Sequence, residues 1–331
     1  MPEVTVVVPV WNGRERLLRL LDKLAGQSHP IAEILVIDNG STDGAPEGAG
    51  QQGARVLEMG FNAGFSRAVN RGVEACRTEL VAIVNSDVEP APDWLARLVE
   101  AMRDREVWFA TGKTMQAADP HRVDGAYDTI CRGACPWRAG SGRRDGPAFS
   151  SRRKIRLASA TATVYRTELF RLVGGFDPVF ESYLEDVDFS LRCACRGLGG
   201  VYVPEAKALH EGSASLGRWH ADSVRRMARN QLYLVAKHYP PPLLLRFAWP
   251  ILVAQGLWGL VTLRHGALQA CLKGKWEGAR NFSALRPRSY PECNLSQLLR
   301  ESEREIREVQ RQTGFDWYWR LYFLLTTGGA N

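Results

Sequence analysis

Three consecutive polar residues, Asn85, Ser86 and Asp87, follow a short apolar run at residues 80–84. An apolar run of this length is typical of a buried strand. A carboxylate at the end of such a strand is suited to a divalent cation and a phosphate, because Mg²⁺ takes few protein carboxylates and completes its shell with water and phosphate oxygens. Asn, Ser and Asp are also common turn residues, so a simple turn is the alternative interpretation.

A second carboxylate, Asp38, ends the apolar run at residues 33–37. It could form a turn or a helix cap, or it could accept a hydrogen bond from the imide N–H of a pyrimidine base. Asn62 and Gly64 follow another strand-like run and precede a helical one, where backbone N–H groups could hold ribose or phosphate oxygens. Gly60 and Gly64 lack the spacing of a dinucleotide-binding fingerprint.

Glu185, Asp186 and Asp188 form an acidic cluster, which we call the acidic turn. Acids in a first helical turn are favoured by the helix dipole, but three acids within four residues exceed what a cap needs. Packed carboxylates repel one another, which favours a group able to hold a proton as a general base. His210 lies in a polar, glycine-containing segment after an extended run. A single histidine is usually structural, whereas this context is suited to a metal ligand.

The elements that must position these residues alternate between strand and helix. Strand-like runs occupy residues 4–10, 33–37, 55–59 and 80–84, and helical patterns occupy residues 14–25, 65–76 and 93–103. This alternation predicts an α/β fold with a mostly parallel sheet and helices on both faces. Ligands bind such sheets at the carboxyl ends of the strands, where Pro9, Asn12, Asp38 and Asp87 fall. Residues 116–153 show little periodicity and predict a long, mobile loop or an insertion near the site, and residues 200–203 predict a last short strand.

The chain changes character after residue 218, so we predict a catalytic domain at 1–218 and a helical, membrane-associating region at 219–331. Between Arg225 and Arg288 there are eleven Lys or Arg residues and a single acid, Glu277. Basic residues interleaved with Leu, Trp, Phe and Pro favour an anionic membrane surface. We expect no nucleic-acid partner, because no recognisable reader motif is present.

Residues 243–263 are almost long enough to cross a bilayer, but they include Arg246, Pro250 and Gln255. They predict an interfacial or partly inserted hairpin, and a buried helical subdomain is the alternative. An amphipathic helix is expected at residues 296–312. The aromatic residues of 315–323 suit a membrane–water boundary, although they could equally fill a core or the subunit interface of a homo-oligomer.

The composition is that of a folded protein of 331 residues, with 45% hydrophobic and 24% charged residues. A strand-like run begins within a few residues of Met1, so no signal peptide is visible. The seven cysteines show no zinc-binding spacing. We therefore expect a cytoplasmic protein, peripheral on the cytoplasmic face of the membrane.

These motifs resemble those of the family 2 glycosyltransferases with the GT-A fold, in particular the rhamnosyltransferase branch. The matching residues, in the family's order over residues 4–215, are Val8-Pro9-Val10-Trp11-Asn12, Val36-Ile37-Asp38-Asn39-Gly40-Ser41-Thr42-Asp43, Asn62-Ala63-Gly64-Phe65 with Asn70, Asn85-Ser86-Asp87, Gly174-Gly175-Phe176-Asp177, Glu185-Asp186-Val187-Asp188 with Arg192, and His210 with Gly212 and Ser213. Each motif alone is weak, whereas the ordered set is strong.

The resemblance implies a role for each site residue. Asp186 would be the catalytic base, with Glu185 beside it, and Asp87 and His210 would bind Mg²⁺ or Mn²⁺. Nucleotide-sugar binding would fall to Pro9, Val10, Asn12, Asp38, Asn62, Gly64, Asn70, Asn85 and Ser86. Contacts to the acceptor or the diphosphate would fall to Arg192, Asp188 and Ser213.

The resemblance also implies the substrates. The donor would be a UDP- or dTDP-sugar, and the acceptor a glycan, plausibly linked to polyprenyl diphosphate, in cell-surface polysaccharide synthesis. Asn85 stands where the family commonly has Asp, so cation binding would depend more on Asp87, His210, phosphates and water. The C-terminal part lacks the motif and the multiple spans of processive synthases, which favours the addition of a single sugar with inversion.

Two other classes of function stay open at this point. A nucleotidyltransferase that makes an activated sugar would need a glycine-rich, basic phosphate loop near the first strand, and residues 10–14 do not supply one. A non-catalytic scaffold at the membrane surface could keep a degenerate nucleotide pocket. The three acids of the acidic turn argue against that scaffold, because a degenerate site would have lost them.

Overall fold

A computed structural model describes residues 2–212, 219–290 and 292–326 of the chain. The chain divides into two compact units, Met1–Asp128 with Gly140–Ser215, and Thr129–Ala139 with Leu216–Asn331. Residues 129–139 therefore group with the second unit, although the sequence-based division placed them in the first. The functional division at residue 218 stays a prediction.

The strands, in chain order, are β1 (Val4–Val10), β2 (Glu33–Asp38), β3 (Arg55–Glu58), β4 (Leu80–Val84), β5 (Val88–Pro90), β6 (Phe109–Gln116), β7 (Val123–Gly125), β8 (Asp128–Ile130), β9 (Pro136–Arg138), β10 (Arg153–Ile155), β11 (Ala162–Arg166) and β12 (Gly200–His210). The helices of the first unit are α1 (Arg14–Ala25), α2 (Ala45–Gln51), α3 (Phe65–Ala75), α4 (Trp94–Ala101), α5 (Thr167–Val173) and α6 (Glu185–Ala194). Short 3₁₀ turns occupy Pro147–Phe149 and Pro178–Phe180.

One large sheet organises the first unit, in the strand order β10-β12-β6-β11-β4-β1-β2-β3. β1 is parallel to β2 and β4, and β2 is parallel to β3. β11 is antiparallel to its two neighbours, β4 and β6, whereas β6 and β12 are parallel. The predicted α/β fold, with a large, mainly parallel sheet flanked by helices, is confirmed.

The register of the sheet brings the predicted site residues to one edge. Val10 pairs with Asp38 at the carboxyl ends of β1 and β2, and β4 ends beside them just before Asn85. β5 folds back after the Asn85–Ser86–Asp87 loop and pairs with β12, so that Val88 lies opposite His210. Side chains far apart in sequence therefore meet where ligands bind such sheets.

Two sequence-based expectations are wrong. Residues 116–153 are not a structureless loop, because they contain β7, β8, β9 and a 3₁₀ turn, and much of the segment is buried. The last strand, β12, has eleven residues and extends to His210 instead of ending at residue 203. Proline is disfavoured inside a strand, and an irregularity in the pairing between Val203 and Lys207 accommodates Pro204.

The second unit is mainly helical. Its helices are α7 (Ala221–His238), α8 (Pro241–Arg246), α9 (Ala248–Arg264), α10 (Leu268–Asn281), α11 (Leu295–Thr313) and α12 (Trp317–Thr326). α11 is the predicted amphipathic helix, and its apolar face, including Leu299 and Ile306, is buried. Among the described residues, no helix combines the length and the apolar character needed to cross a bilayer.

A buried ion pair fixes residues 129–139 within the second unit. Arg132 Nε lies 2.7 Å from Glu303 Oε2, and the Arg132 backbone N–H donates to Glu303 Oε1 at 2.8 Å. The neighbouring Ser302 hydroxyl accepts the backbone N–H of Ile130 at 2.8 Å. Both charged side chains are more than nine-tenths buried, so each depends on the other for compensation.

Candidate active site

Asp38 is the last residue of β2 and is only 4% exposed. Its carboxylate accepts the backbone N–H groups of Gly40 at 3.2 Å and Ser41 at 3.1 Å, which is the local turn that Asp side chains favour. The hydrogen bonds therefore confirm a turn at Asp38. Contact between Asp38 and a pyrimidine base stays a prediction.

Asn12 joins the ends of β1 and β2. It adopts the left-handed conformation with φ of 58°, which asparagine tolerates better than most residues. Its side-chain oxygen accepts the Thr42 N–H at 2.9 Å, and its own N–H donates to the Ser41 hydroxyl at 2.8 Å. Pro9 and Val10 are buried at the end of β1, just before this turn, and their contact with the nucleotide stays a prediction.

Backbone N–H groups just before α3 have hydrogen-bond partners within the protein. Ala63 N–H donates to Asn39 at 2.8 Å, and Gly64 N–H donates to Asn62 at 3.1 Å. A side chain at Gly64 would come within 2.9 Å of the Glu181 carbonyl oxygen, and its φ of 87° also disfavours other residues. Asn62 and Gly64 shape the loop, and a direct contact with the nucleotide sugar stays a prediction.

Two of the predicted binding residues hold the backbone instead. The Asn70 amide donates to the Phe176 carbonyl at 2.7 Å and accepts the Phe176 N–H at 2.8 Å. Arg192 donates to the carbonyls of Val173 and Gly175 and pairs with Asp188 at 2.9 Å. The structure thus gives Asn70 and Arg192 a positioning role, and their contact with a substrate stays a prediction.

His210 lies between two carboxylates at the end of β12. Its Nε2 is 3.3 Å from Asp87 Oδ1, and its Nδ1 is 2.8 Å from Asp124 Oδ2. Burial alone would lower the pKa of His210, but hydrogen bonds and charge from Asp124 and Asp87 raise it to about 9. Burial opposes ionisation of Asp87, yet His210 and the nearby Arg16 lower its pKa.

These residues fit a divalent cation. Cis ligands in an octahedral shell lie about 3 Å apart, close to the distance between Asp87 Oδ1 and His210 Nε2. The side-chain oxygen of Asn85 is buried and has no hydrogen-bond partner among the described residues. Buried polar atoms normally have a partner, so this oxygen is suited to bind a cation or a substrate hydroxyl. No group of three His, Cys, Asp or Glu side chains in the described part of the chain could hold a cation alone. Phosphate and water would have to complete the shell.

The three acids of the acidic turn have different surroundings. Glu185 is 5% exposed and Asp188 is fully buried against Arg192, whereas Asp186 is only partly buried. Before the turn, Glu181, Tyr183 and Leu184 all have positive φ between 60° and 71°. Non-glycine residues in this conformation store strain that proteins tolerate mostly at functional sites. Asp186 is thus the most accessible of the three acids, and its role as the catalytic base stays a prediction.

A short peptide segment connects the acidic turn to the loop of Asn85 and Asp87. The Ala160 N–H donates to Asp186 Oδ2 at 3.1 Å, and the Asn85 N–H donates to the adjacent Thr161 carbonyl at 2.8 Å. The predicted base, Asp186, and the predicted cation loop, through Asn85, are therefore hydrogen-bonded to neighbouring residues, Ala160 and Thr161. A cleft of about 530 Å³ lies in the same unit, lined by Gly13, Arg14, Glu15, Arg16, Arg19, Asp43 and Glu211.

Several residues of the site were not predicted from the sequence. Asp124 lies in the stretch that looked like a loop, and its spacing to His210 gives no local signal. Ala160 and Thr161 act through the backbone, which leaves no mark on residue type. Of the predicted residues, Ser213 lies outside those that the structure describes.

The comparison with known families decides the class. The sequence profile described as Glycosyl transferase family 2 matches residues 5–173, slightly more than half of the chain. The chain belongs to this family. The predicted resemblance is confirmed, and the protein is a glycosyltransferase, not a nucleotidyltransferase or a scaffold. The match includes Asp38 and Asp87 and ends before Asp186 and His210.

Two curated relatives are named as glycosyltransferases. The N-acetylglucosaminyl-diphospho-decaprenol L-rhamnosyltransferase of Mycobacterium tuberculosis is 30% identical over 245 residues, covering 66% of this chain and 79% of the relative. The pre-mycofactocin glycosyltransferase of the same organism is 30% identical over 223 residues, covering 66% of this chain and 45% of the relative.

A solved structure confirms the fold. The mannosyltransferase PcManGT from Pyrobaculum calidifontis, in complex with GDP-Man and Mn²⁺, matches 99% of this chain and 87% of its own, with a TM-score of 0.54 and 19% identity. At this identity the likeness concerns the fold alone.

Proposed function

We propose that this family 2 glycosyltransferase transfers one sugar from a UDP- or dTDP-sugar to a lipid-linked glycan, with inversion at the anomeric carbon and with the help of Mg²⁺ or Mn²⁺. One observation carries the proposal. Asp186 and the loop of Asn85 and Asp87 are hydrogen-bonded to the adjacent residues Ala160 and Thr161. A proton acceptor and a cation site in that arrangement suit the two ends of one displacement.

In this mechanism Asp186 accepts the proton of an acceptor hydroxyl as the oxygen attacks the anomeric carbon. The bond from that carbon to the diphosphate breaks on the opposite side, so a single displacement inverts the centre. Asp87 and His210 would hold the cation, which when bound supplies positive charge to the departing diphosphate. Arg16, which lowers the pKa of Asp87, would add positive charge near the proposed cation.

The donor proposal depends on the carboxyl ends of β1 and β2. Asp38 is fixed by its own turn, and Asn12 is fixed by Ser41 and Thr42, so both can present defined acceptors and donors to a base. A carboxylate pairs with the imide N–H that uracil and thymine share. This supports a UDP- or dTDP-sugar, with a rhamnose-like or other hexose as the sugar.

The acceptor proposal follows from the relatives. One of them is named N-acetylglucosaminyl-diphospho-decaprenol L-rhamnosyltransferase, after a polyprenyl-linked sugar. By analogy, this chain would act on a glycan attached to a polyprenyl diphosphate. Because such a lipid lies in the bilayer, we place the reaction on the cytoplasmic face of the membrane, with the enzyme bound peripherally.

A donor and acceptor screen tests the proposal. Purified full-length protein is incubated with UDP- and dTDP-sugars, a short polyprenyl-diphosphate-linked N-acetylglucosamine, and Mg²⁺, Mn²⁺ or a chelator. Mass spectrometry detects the added sugar and NMR gives its anomeric configuration. We expect one added sugar, inverted, only with a cation. Retention of configuration, or equal transfer in the chelator, contradicts the mechanism, and Asp186→Asn serves as the inactive control.

A further inference from the structure

Helix α9 has two apolar sides. One side is buried inside the second unit and includes Val253, Ala254 and Leu257. The adjoining side is exposed although its large side chains are apolar as well. Its large side chains, three to eight residues apart, and their exposed fractions are Trp249 58%, Leu252 67%, Leu260 52% and Leu263 55%. Positions at this spacing lie on one face of a helix, so α9 presents a continuous apolar stripe to its surroundings.

Helix α12 extends this stripe. Its outward residues Leu321, Leu324 and Leu325 are 37%, 71% and 46% exposed. The Trp249 indole N–H donates to the Leu325 carbonyl at 2.9 Å, and the Tyr318 hydroxyl donates to the Ala254 carbonyl at 3.1 Å. α12 therefore packs antiparallel to α9. We call the exposed side chains of the two helices the outer apolar face: Trp249, Leu252, Leu260, Leu263, Leu321, Leu324 and Leu325.

The outer apolar face is not typical of the rest of the molecule. Of fifteen exposed large hydrophobic residues in the described part of the chain, twelve lie at or after Leu245, and three lie in the first unit: Trp11, Phe61 and Leu172. Helix α11 of the same unit has a buried apolar face and a charged outer one. Large exposed apolar patches mark interaction sites, so we expect a partner surface to cover the outer apolar face.

The charges beside the face identify that occupant. Helices α8, α9 and α12 carry three arginines, Arg246, Arg264 and Arg320, and no Asp or Glu. All three arginines are exposed. A two-fold dimer through this face would place like charges near one another, whereas anionic lipid headgroups would neutralise them while the leucines enter the acyl region.

We propose that the outer apolar face docks on an anionic lipid bilayer, with α9 lying in the plane of the interface. α9 is about 25 Å long, and an interfacial helix of this kind buries its apolar side at the boundary between headgroups and acyl chains. Trp249 lies where an interfacial tryptophan is favoured. This proposal deepens the proposed function by naming the surface that meets the membrane, but it does not depend on the sugar transferred.

The experiment measures vesicle binding of the full-length protein without any substrate, so that its failure is distinct from failure of the transfer reaction. Vesicles of phosphatidylcholine, with or without phosphatidylglycerol, are sedimented with the protein at low and high salt. The apolar variant Leu252→Ser/Leu263→Ser/Leu324→Ser removes exposed side chains only. Leu172→Ser is the matched control, because Leu172 is 48% exposed in the first unit.

We expect the wild-type protein and Leu172→Ser to bind the anionic vesicles equally. The partition coefficient of the apolar variant should fall by about tenfold or more, since three leucines no longer leave water. Arg246→Gln/Arg264→Gln/Arg320→Gln should reduce binding to anionic vesicles at low salt and change binding to neutral vesicles little. Circular dichroism of each variant confirms that it is folded.

Two outcomes would overturn the proposal. In the first, the apolar variant binds vesicles as well as the wild type, or Leu172→Ser loses as much binding as the apolar variant. In the second, the wild-type protein does not bind vesicles and is a dimer in solution, whereas the apolar variant is a monomer. The face would then be a subunit interface.

Discussion

Asp124 Oδ2 lies 2.8 Å from Nδ1 of His210, while Nε2 of the same ring points to Asp87. A carboxylate that accepts the proton of one ring nitrogen fixes the tautomer and directs the other nitrogen to a cation. Asp124 is thus placed to orient His210 from behind. A substitution of Asp124 is therefore expected to change cation binding through His210, although Asp124 is not itself a proposed ligand.

Asp124→Asn should weaken Mn²⁺ binding about 10–100-fold, as is usual for the partner of a metal-bound histidine. Titration calorimetry with Mn²⁺ in the presence of UDP or dTDP measures it. Nucleotide binding in the chelator should stay unchanged, which separates the effect from general damage to the fold. Unaltered Mn²⁺ affinity would show that Asp124 does not orient His210.

Asp87→Ala should abolish cation-stimulated nucleotide binding, with a loss of about 100-fold or more, because Asp87 is the only carboxylate in its loop and a direct ligand loses more than its partners. Calorimetry with and without Mn²⁺ provides the measurement. Asp93→Asn, which removes an exposed carboxylate paired with Arg97, is the control. Cation-stimulated binding that survives in Asp87→Ala would remove Asp87 from the site.

Asp186→Asn should lower the transfer rate by about 10²–10⁴ while donor affinity stays near the wild-type value, because the base acts on the acceptor. Steady-state rates and nucleotide-sugar binding, measured on the same preparation, separate the two effects. If the rate is unchanged, Asp186 is not the base, and Glu185 becomes the candidate.

Asp188→Asn should act on stability instead. Asp188 is fully buried and neutralises Arg192, which in turn holds the Val173 and Gly175 carbonyls. Loss of one partner of a buried ion pair costs about 2–4 kcal/mol when the other partner keeps some access to water. Urea unfolding measures the loss. A stable variant without transfer activity would instead give Asp188 a role in the chemistry.

Lys275 provides a test by pH. Burial lowers its pKa from 10.5 to about 8 in the folded protein. The unfolded chain then binds the extra proton between these values, so the lysine destabilises the folded state below about pH 8, and this cost disappears as the pH rises toward 10.5. The free energy of unfolding of the wild type, relative to Lys275→Met, should therefore rise by about 1–3 kcal/mol across that window. A flat difference would contradict the lowered pKa.

The sequence alone predicted those parts of the site that depend on a local pattern of residues. Short apolar runs predicted β1, β2 and β4, and the parallel arrangement then placed Asp38 and Asp87 at one edge. Asp124 could not be predicted in the same way, because β7 has only three residues and is held by pairing with β6, a contact that leaves no periodicity in the chain.

Asn70 and Arg192 show a second limit of sequence reasoning. Both belong to family motifs, and the motif alone does not distinguish a side chain that contacts a ligand from one that clamps the backbone beside it. Only the hydrogen bonds to Phe176, Val173 and Gly175 make that distinction. Residue type identifies the chemistry that a side chain can perform, whereas its partners decide whether it is available to perform it.

The joint attachment of Asp186 and Asn85 to Ala160 and Thr161 has a consequence for how such an enzyme can diversify. The residues proposed to read the nucleotide, Asp38 and Asn12, lie at the end of β2 and in the turn after β1. Changes at these positions can alter which nucleotide is preferred while the spacing between the catalytic base and the cation loop stays fixed. Evolution, or a protein engineer, can therefore change the nucleotide of the donor without rebuilding the reaction.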